Sequence, residues 1–160
     1  MKVITLWQPW AFLVARGDKK IETRSWKAPK ELMGQRIAIH AAKAFSKEMQ
    51  ELCWTQPFRG ILLKNGFNMS FSDMPLGKVV ATAKLMACLK IINYQPGCLR
   101  ATLENGNEVI NNEYHFGDYT PGRYAWILED IQPLEEPVQA KGMQKLWNLP
   151  LECKEMMKNE

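Results

Sequence analysis

Apolar and polar positions change period often along this chain, and the changes predict many short elements. Val3 to Leu6 is a β-prone run and predicts a first strand. Pro9 can open a helix without losing a needed N–H, and Trp10, Leu13 and Val14 recur at helical spacing until Gly17 offers a stop. Residues 19–24 read as extended. Arg36 to Ala41 reads as a strand in which Ile37 and Ile39 face the core and His40 points the other way, toward a cleft or the surface. Ser46 is placed to cap a helix carrying Met49, Leu52 and Cys53 on one stripe, closed by Pro57.

From Phe58 to Pro75 the pattern dissolves into glycines, asparagines and isolated aromatics, which predicts irregular or mobile chain. Gly77 to Ala87 and Leu89 to Tyr94 predict two strands. Residues 95–122 carry Pro96-Gly97, Asn105-Gly106, Asn111-Asn112 and Pro121-Gly122, the punctuation of turns and insertions. Tyr124 to Ile131 predicts another strand, Pro133 and Pro137 a turn with a short strand after it, and residues 151–158 a helix. Short strands, few helices and no βαβ alternation predict an α+β fold built on a small mixed barrel or curled sheet. No repeat or linker divides the 160 residues, so a single domain over 1–160 is expected, with irregular inserts near 58–75 and 95–118.

Composition narrows the chemistry. No apolar run approaches the roughly 20 residues of a membrane span, and the opening residues lack the sections of a signal peptide, so a cytoplasmic protein is expected. Cys53, Cys88, Cys98 and Cys153 are scattered, without a CxxC pair, and His40 and His115 have no zinc spacing to them. Reduced, mostly buried thiols and no metal are expected. His115 has no evident partner. The motifs of dinucleotide folds, P-loops, zincins and α/β-hydrolases do not occur, and no cofactor is expected.

The net charge of +4 hides an asymmetry: residues 1–47 hold 10 Lys or Arg against 3 Asp or Glu, whereas residues 48–160 hold 11 against 14. A local excess of +7 points to an anionic partner, and the nucleic-acid backbone is the commonest one, although a solvated basic surface would have the same composition.

The densest group of unusual residues is Leu6-Trp7-Gln8-Pro9-Trp10-Ala11 followed by Gly17-Asp18-Lys19-Lys20-Ile21-Glu22-Thr23-Arg24-Ser25-Trp26. Arg24 can fork onto a phosphate or a base edge, and Lys19 supplies a movable point charge. Trp7, Trp10 and Trp26 present flat faces on which an unpaired base could stack, although the spacing of Trp10 with Leu13 and Val14 favours the core, as the surroundings of Trp126 do. Glu22 and Arg24 fall on one strand face and could equally form a structural ion pair, while Lys19 can meet Glu22 only across a turn.

The GxKxxExR pattern of Gly17, Lys19, Glu22 and Arg24, behind an aromatic-proline helix, resembles the ASCH domain, a relative of the PUA fold. The resemblance extends to Ile39-His40-Ala41-Ala42-Lys43, Gly77-Lys78-Val79-Val80-Ala81, Gly122-Arg123-Tyr124-Ala125-Trp126 and the closing Lys141-Gly142-Met143-Gln144-Lys145-Leu146-Trp147. It implies a PUA-like β-barrel of five or six strands with helices at its openings, and RNA or nucleotide binding in a cleft. Trp7, Gln8, Lys19, Lys20, Arg24, Trp26, Lys43 and Arg123 are the expected binding residues.

One branch of the family resembles metal-independent ribonucleases, for which Lys19, Glu22, Arg24 and His40 would supply base, acid and phosphate stabilisation. Another resembles an amidohydrolase of N4-acylated cytidine with a Lys-assisted threonine; there Lys19 fits the lysine, but Glu22 stands at the threonine's place and Thr23 is its neighbour. Lys19, Glu22, Thr23 and His40 are thus the catalytic candidates. Binding of RNA or a nucleotide ranks first, ribonuclease activity second and acyl-cytidine hydrolysis third, and a coactivator-like protein-interaction module is the alternative of another class. Lys19→Ala and Arg24→Ala are expected to weaken binding without unfolding the domain.

Overall fold

The computed structural model describes residues 1–157. Lys158, the last residue of the predicted terminal helix, lies outside them. The chain divides into two compact units, one of Met1–Asp18, Ile37–Ala83 and Ile131–Glu160, the other of Lys19–Arg36 and Lys84–Asp130.

In the first unit, β1 (Lys2–Leu6) pairs in parallel with β3 (Arg36–Ala41), Ile4 opposite Ile39 and Thr5 opposite His40, and antiparallel with β8 (Leu146–Asn148). β4 (Lys78–Gln95) lies beside β3, and β7 (Tyr124–Gln139) beside β4, so the order in this unit is β7-β4-β3-β1-β8. Val3, Ala38, Val79, Val138 and Trp147 pack into its core. A strand flanked on both edges and covered on both faces buries every side chain, which is why His40 is as buried as Ile37 and Ile39 instead of alternating with them.

α1 (Trp10–Ala15) buries Leu13 and Val14 as its spacing predicts, and Gly17, at φ +77°, ends it with its N–H on Val14 O. Trp10 is half-buried, edge-on to Phe58. α2 (Lys47–Leu52) starts as expected at Ser46, whose hydroxyl accepts the Met49 N–H at 3.3 Å.

In the second unit, β2 (Ile21–Arg24) pairs antiparallel with β7, Glu22 opposite Trp126 and Arg24 opposite Tyr124. The far part of β4 pairs with β5 (Arg100–Leu103), and β5 with β6 (Glu108–Val109). Ile91, Leu103, Val109, Tyr114, Tyr119 and Ala125 form the core there.

The fold is α+β with eight strands and five helices among the described residues. This corrects the expected barrel of five or six strands: the pairing order is an open path that does not return to its start. The reading of irregular chain at 58–75 is corrected in its first part, because α3 (Phe58–Lys64) forms there and buries Phe58 and Leu62, one turn apart; from Asn65 to Pro75 the chain is irregular apart from a short 3-10 segment at Phe71–Asp73. Between 95 and 118 the Asn105-Gly106 turn is real, but it joins β5 to β6, and α4 (Asn111–His115) follows. Alternating Ala101, Leu103 and Val109 are buried, so tertiary packing outweighs local turn chemistry.

The two strands predicted on either side of Cys88 are one continuous β4, and β7 runs through Pro133 and Pro137 where a turn was expected. In the first unit β7 is the edge strand, and an edge accepts proline because half of its N–H groups have no ladder partner to lose. α5 (Leu151–Met156) closes the described chain.

Candidate functional site

The motif residues Lys19, Glu22 and Arg24 meet in the second unit. Residues 19 and 20 precede β2, and that departure from extended chain lets Lys19 reach the face on which Glu22 and Arg24 lie two residues apart. Lys19 is 0% exposed. It donates to Ile21 O and to Phe116 O, the latter at 3.0 Å, and forms an ion pair with Glu22 Oε2 at 3.5 Å. The other Glu22 oxygen, Oε1, lies 3.1 Å from Arg24 Nε. The result is a cation–carboxylate–cation chain whose outer end, Arg24, keeps 24% of its side chain exposed.

Thr23, between them on β2, points to the opposite strand face, where its Oγ1 accepts the Asp118 N–H at 3.0 Å. Arg123 fastens the same segment: its Nε donates to Asp118 O at 3.1 Å and its Nη2 to Thr23 O at 3.4 Å. A hydrogen bond from the Thr120 hydroxyl holds the Asp118 carboxyl below the usual range. Thr23 and Arg123 therefore position residues 116–118, whose Phe116 carbonyl holds Lys19. Trp26 packs edge-on against Trp126, centroids 4.8 Å apart, and its carbonyl accepts the Trp126 indole N–H. Lys20 is exposed.

Two participants were not foreseen. Glu113, in α4, accepts the backbone N–H groups of Lys20 and Ile21 at 2.9 and 3.1 Å and so clamps the start of β2. Burial pushes its carboxyl above the usual range, against the pull of the Lys19 charge and of those two N–H groups. Tyr119 is 1% exposed; burial and the charges of Glu113 and Glu22 raise its phenol. Both lie in the stretch read as turns and insertions. The one signal there was the spacing of Tyr114, Phe116 and Tyr119, too many rings for a solvated loop.

The remaining expected residues lie in the first unit. Gln8 is fully buried and structural: its Oε1 accepts the Phe12 N–H of α1 and its Nε2 donates to Pro75 O, both at 2.9 Å. Trp7 is 56% exposed. His40 lines a cavity of about 1040 Å³ shared with Thr5, Lys43, Lys141 and Trp147. Its Nε2 lies 3.1 Å from Ala140 O and its Nδ1 lies 3.2 Å from the Thr5 hydroxyl, which also donates to Met143 O at 3.2 Å, and the Trp147 ring stands edge-on to it. Burial lowers the His40 pKa against the pull of the Ala140 and Gly77 backbone groups. Lys43 is exposed at the same cavity.

Among the described residues no three His, Cys, Asp or Glu side chains gather in a metal-holding cluster, and no helix is long and apolar enough to cross a membrane. All four cysteines are free thiols; Cys53 and Cys153 are buried, Cys88 is half-buried, and Cys98 is exposed.

The family model of the ASCH domain matches residues 4–138. Among solved structures, the chain is similar to the ASCH protein of Zymomonas mobilis. A tyrosine-to-phenylalanine variant of that protein is 22% identical at a TM-score of 0.54, with 99% of this chain and 96% of that chain covered. A serine-to-alanine variant is 20% identical at 0.53, covering 99% and 94%, and the unsubstituted protein is 20% identical at 0.53, covering 99% and 93%. At these identities the likeness is one of fold. No curated protein matches the chain.

Proposed function

The chain belongs to the ASCH domain family, and from that premise we propose that it binds RNA or a nucleotide through the charged cluster on β2. The observation that carries this reading is the buried Lys19–Glu22–Arg24 chain, which fixes a guanidinium at a solvent-reached end with Lys20 beside the same strand. A pre-oriented guanidinium loses little freedom on meeting a phosphate or base edge, and the basic excess of the first 47 residues favours the approach of an anion. Lys19 itself, buried and held by two carbonyls and Glu22, organises the cluster and Arg24 makes the contact.

The test is binding of labelled single-stranded RNA over a salt series. The slope of log affinity against log salt is about −0.7 for each phosphate neutralised on a single strand. Arg24→Gln is expected to weaken binding and to flatten that slope by roughly 0.7. Affinity that ignores salt would replace the RNA reading with a peptide interface.

Glu113 supports a second reading, hydrolysis of RNA or of an N4-acylated cytidine. Two carboxyl groups, one buried with its pKa raised and one between two cations, are suited to opposite proton-transfer roles. Glu113 would protonate the leaving group while Glu22 takes the proton of the attacking hydroxyl or water. Thr23 is ill-suited as nucleophile because its hydroxyl holds the Asp118 N–H on the other strand face. Incubation with labelled RNA, and separately with N4-acetylcytidine, in EDTA decides it: product lost in both Glu22→Gln and Glu113→Gln supports hydrolysis, and no product from the native protein leaves binding alone.

A further inference from the structure

Trp54 lies in the link between α2 and α3 with 52% of its surface exposed. The link is well tied: the Trp54 N–H donates to Glu51 O at 3.0 Å, the Thr55 hydroxyl to Leu52 O at 2.7 Å, and the Arg59 N–H to Thr55 O at 2.9 Å. A ladder of rings runs inward from it. Trp54 meets Phe71 at 6.3 Å and 87°, Phe71 lies 6.1 Å from Phe67, and the buried Phe67 packs on Phe12 of α1 at 5.8 Å. Phe45 braces Phe71 from another side at 5.4 Å. The indole is thus held in place while still half open to solvent, with the Arg59 guanidinium over one face of its ring, 5.9 Å from the centroid, so a stacking partner must use the other face or slide beneath the guanidinium.

The exposed chain neighbours of Trp54, namely Glu51, Thr55, Gln56 and Arg59, are all polar. The rings that touch or brace it, Phe71 and Phe45, are only partly exposed, which is less than the wide contiguous apolar patch a protein partner needs. A nucleobase needs only one flat face, with a cation near enough to meet the adjoining phosphate. The segment 43–64 holds Lys43, Lys47, Arg59 and Lys64 against Glu48 and Glu51, the sign such a strand requires.

We propose that Trp54, with Arg59 beside it, is a stacking platform for a base of single-stranded nucleic acid. The platform is a contact additional to the β2 cluster and rests on the RNA-binding reading above. The phosphate next to the stacked base meets Arg59, and the ring ladder keeps the indole oriented so that little side-chain freedom is lost on binding.

The experiment is fluorescence anisotropy of an end-labelled oligoadenylate of about twelve nucleotides, within the site sizes of such binders, against the full chain and its Trp54→Ala, Trp54→Phe and Arg59→Gln variants. Trp54→Ala is expected to weaken binding about five- to 150-fold, the equivalent of one stacked base. Trp54→Phe should recover most of the loss, and Arg59→Gln should flatten the salt dependence. In parallel, the ¹⁵N-indole resonance that disappears in Trp54→Phe should shift on titration of the native chain. A native chain that binds no oligoadenylate overturns the RNA reading and the platform together. Tight native binding that Trp54→Ala leaves unchanged overturns the platform alone. An indole resonance that ignores oligoadenylate but shifts with protein concentration overturns it in favour of self-association.

Discussion

Replacing Lys19 with methionine keeps most of the buried stem and deletes the charge with its three donors, so it isolates the polar contribution of the cluster. The carbonyls of Ile21 and Phe116 each lose a donor, and a buried acceptor left without a partner costs about 1–3 kcal/mol. Breaking a buried ion pair costs about 3–5 kcal/mol when the survivor is stranded. Glu22 is not stranded, because Arg24 Nε remains 3.1 Å away and the Glu22 side chain is partly exposed, so little of that larger figure applies. The two carbonyls together would cost about 2–6 kcal/mol, but the substitution also removes the desolvation cost of the buried ammonium, so the expected loss is about 2–4 kcal/mol. For a chain of this length each kcal/mol lowers Tm by about 2–4 °C, which places Lys19→Met roughly 4–16 °C below the native protein. Lys19→Ala should fall further, because the emptied stem leaves a cavity. Thermal melts by circular dichroism, with urea midpoints at unchanged m-value, read the difference. Lys20→Met, at the exposed neighbouring position, is the control and should stay within about 0.5 kcal/mol of native. If Lys19→Met melts with that control, the ammonium does not hold residues 116–118 to β2 and the description of the cluster is wrong. The buried setting also corrects the expectation that Lys19→Ala would spare the fold; Arg24, partly exposed, is the substitution that separates binding from stability.

His40 and Glu113 act on stability with opposite signs. His40 has a folded pKa below 6.5, so its contribution is full above 6.5 and is lost as pH falls through the lowered value; urea midpoints should decline over that window, and less so in His40→Gln. Glu113 has a folded pKa above 4.5, so the folded state binds the extra proton and stability falls as pH rises from 4.5 through the raised value, a slope that Glu113→Gln should remove. Gly142→Ala would set a Cβ 2.9 Å from His40 Nδ1 and closer still to its Cε1, so a loss of about 1–3 kcal/mol is expected in denaturant melts, and a native-like midpoint would contradict the packing. Among the thiols, Cys98 is exposed and should be alkylated by iodoacetamide within the folded protein; Cys53, buried and pushed up to about 11, should react only on unfolding, as peptide mapping by mass spectrometry would show.

Local signals decided much of this protein in advance. Strand β1, the Ser46 cap, the Gly17 stop and the strand at Arg36 to Ala41 follow from period, capping chemistry and glycine's conformational reach, all of which act within a few residues. So did the gathering of Lys19, Glu22 and Arg24, since an i,i+2 pair shares a strand face and one turn suffices for Lys19. Tertiary structure alone decided what those residues are free to do. Gln8 caps a helix, Thr23 and Arg123 hold a loop, and Lys19 is held by two carbonyls, one of them nearly a hundred positions away, and by the charge of Glu22. Glu113 and Tyr119 enter the site from a stretch whose local chemistry spells turns, because the burial of β5, β6 and α4 against β4 outweighs it. The open sheet order and the continuity of β4 and β7 are likewise products of pairing between distant segments, and no local window of the chain encodes which strand a given strand will meet.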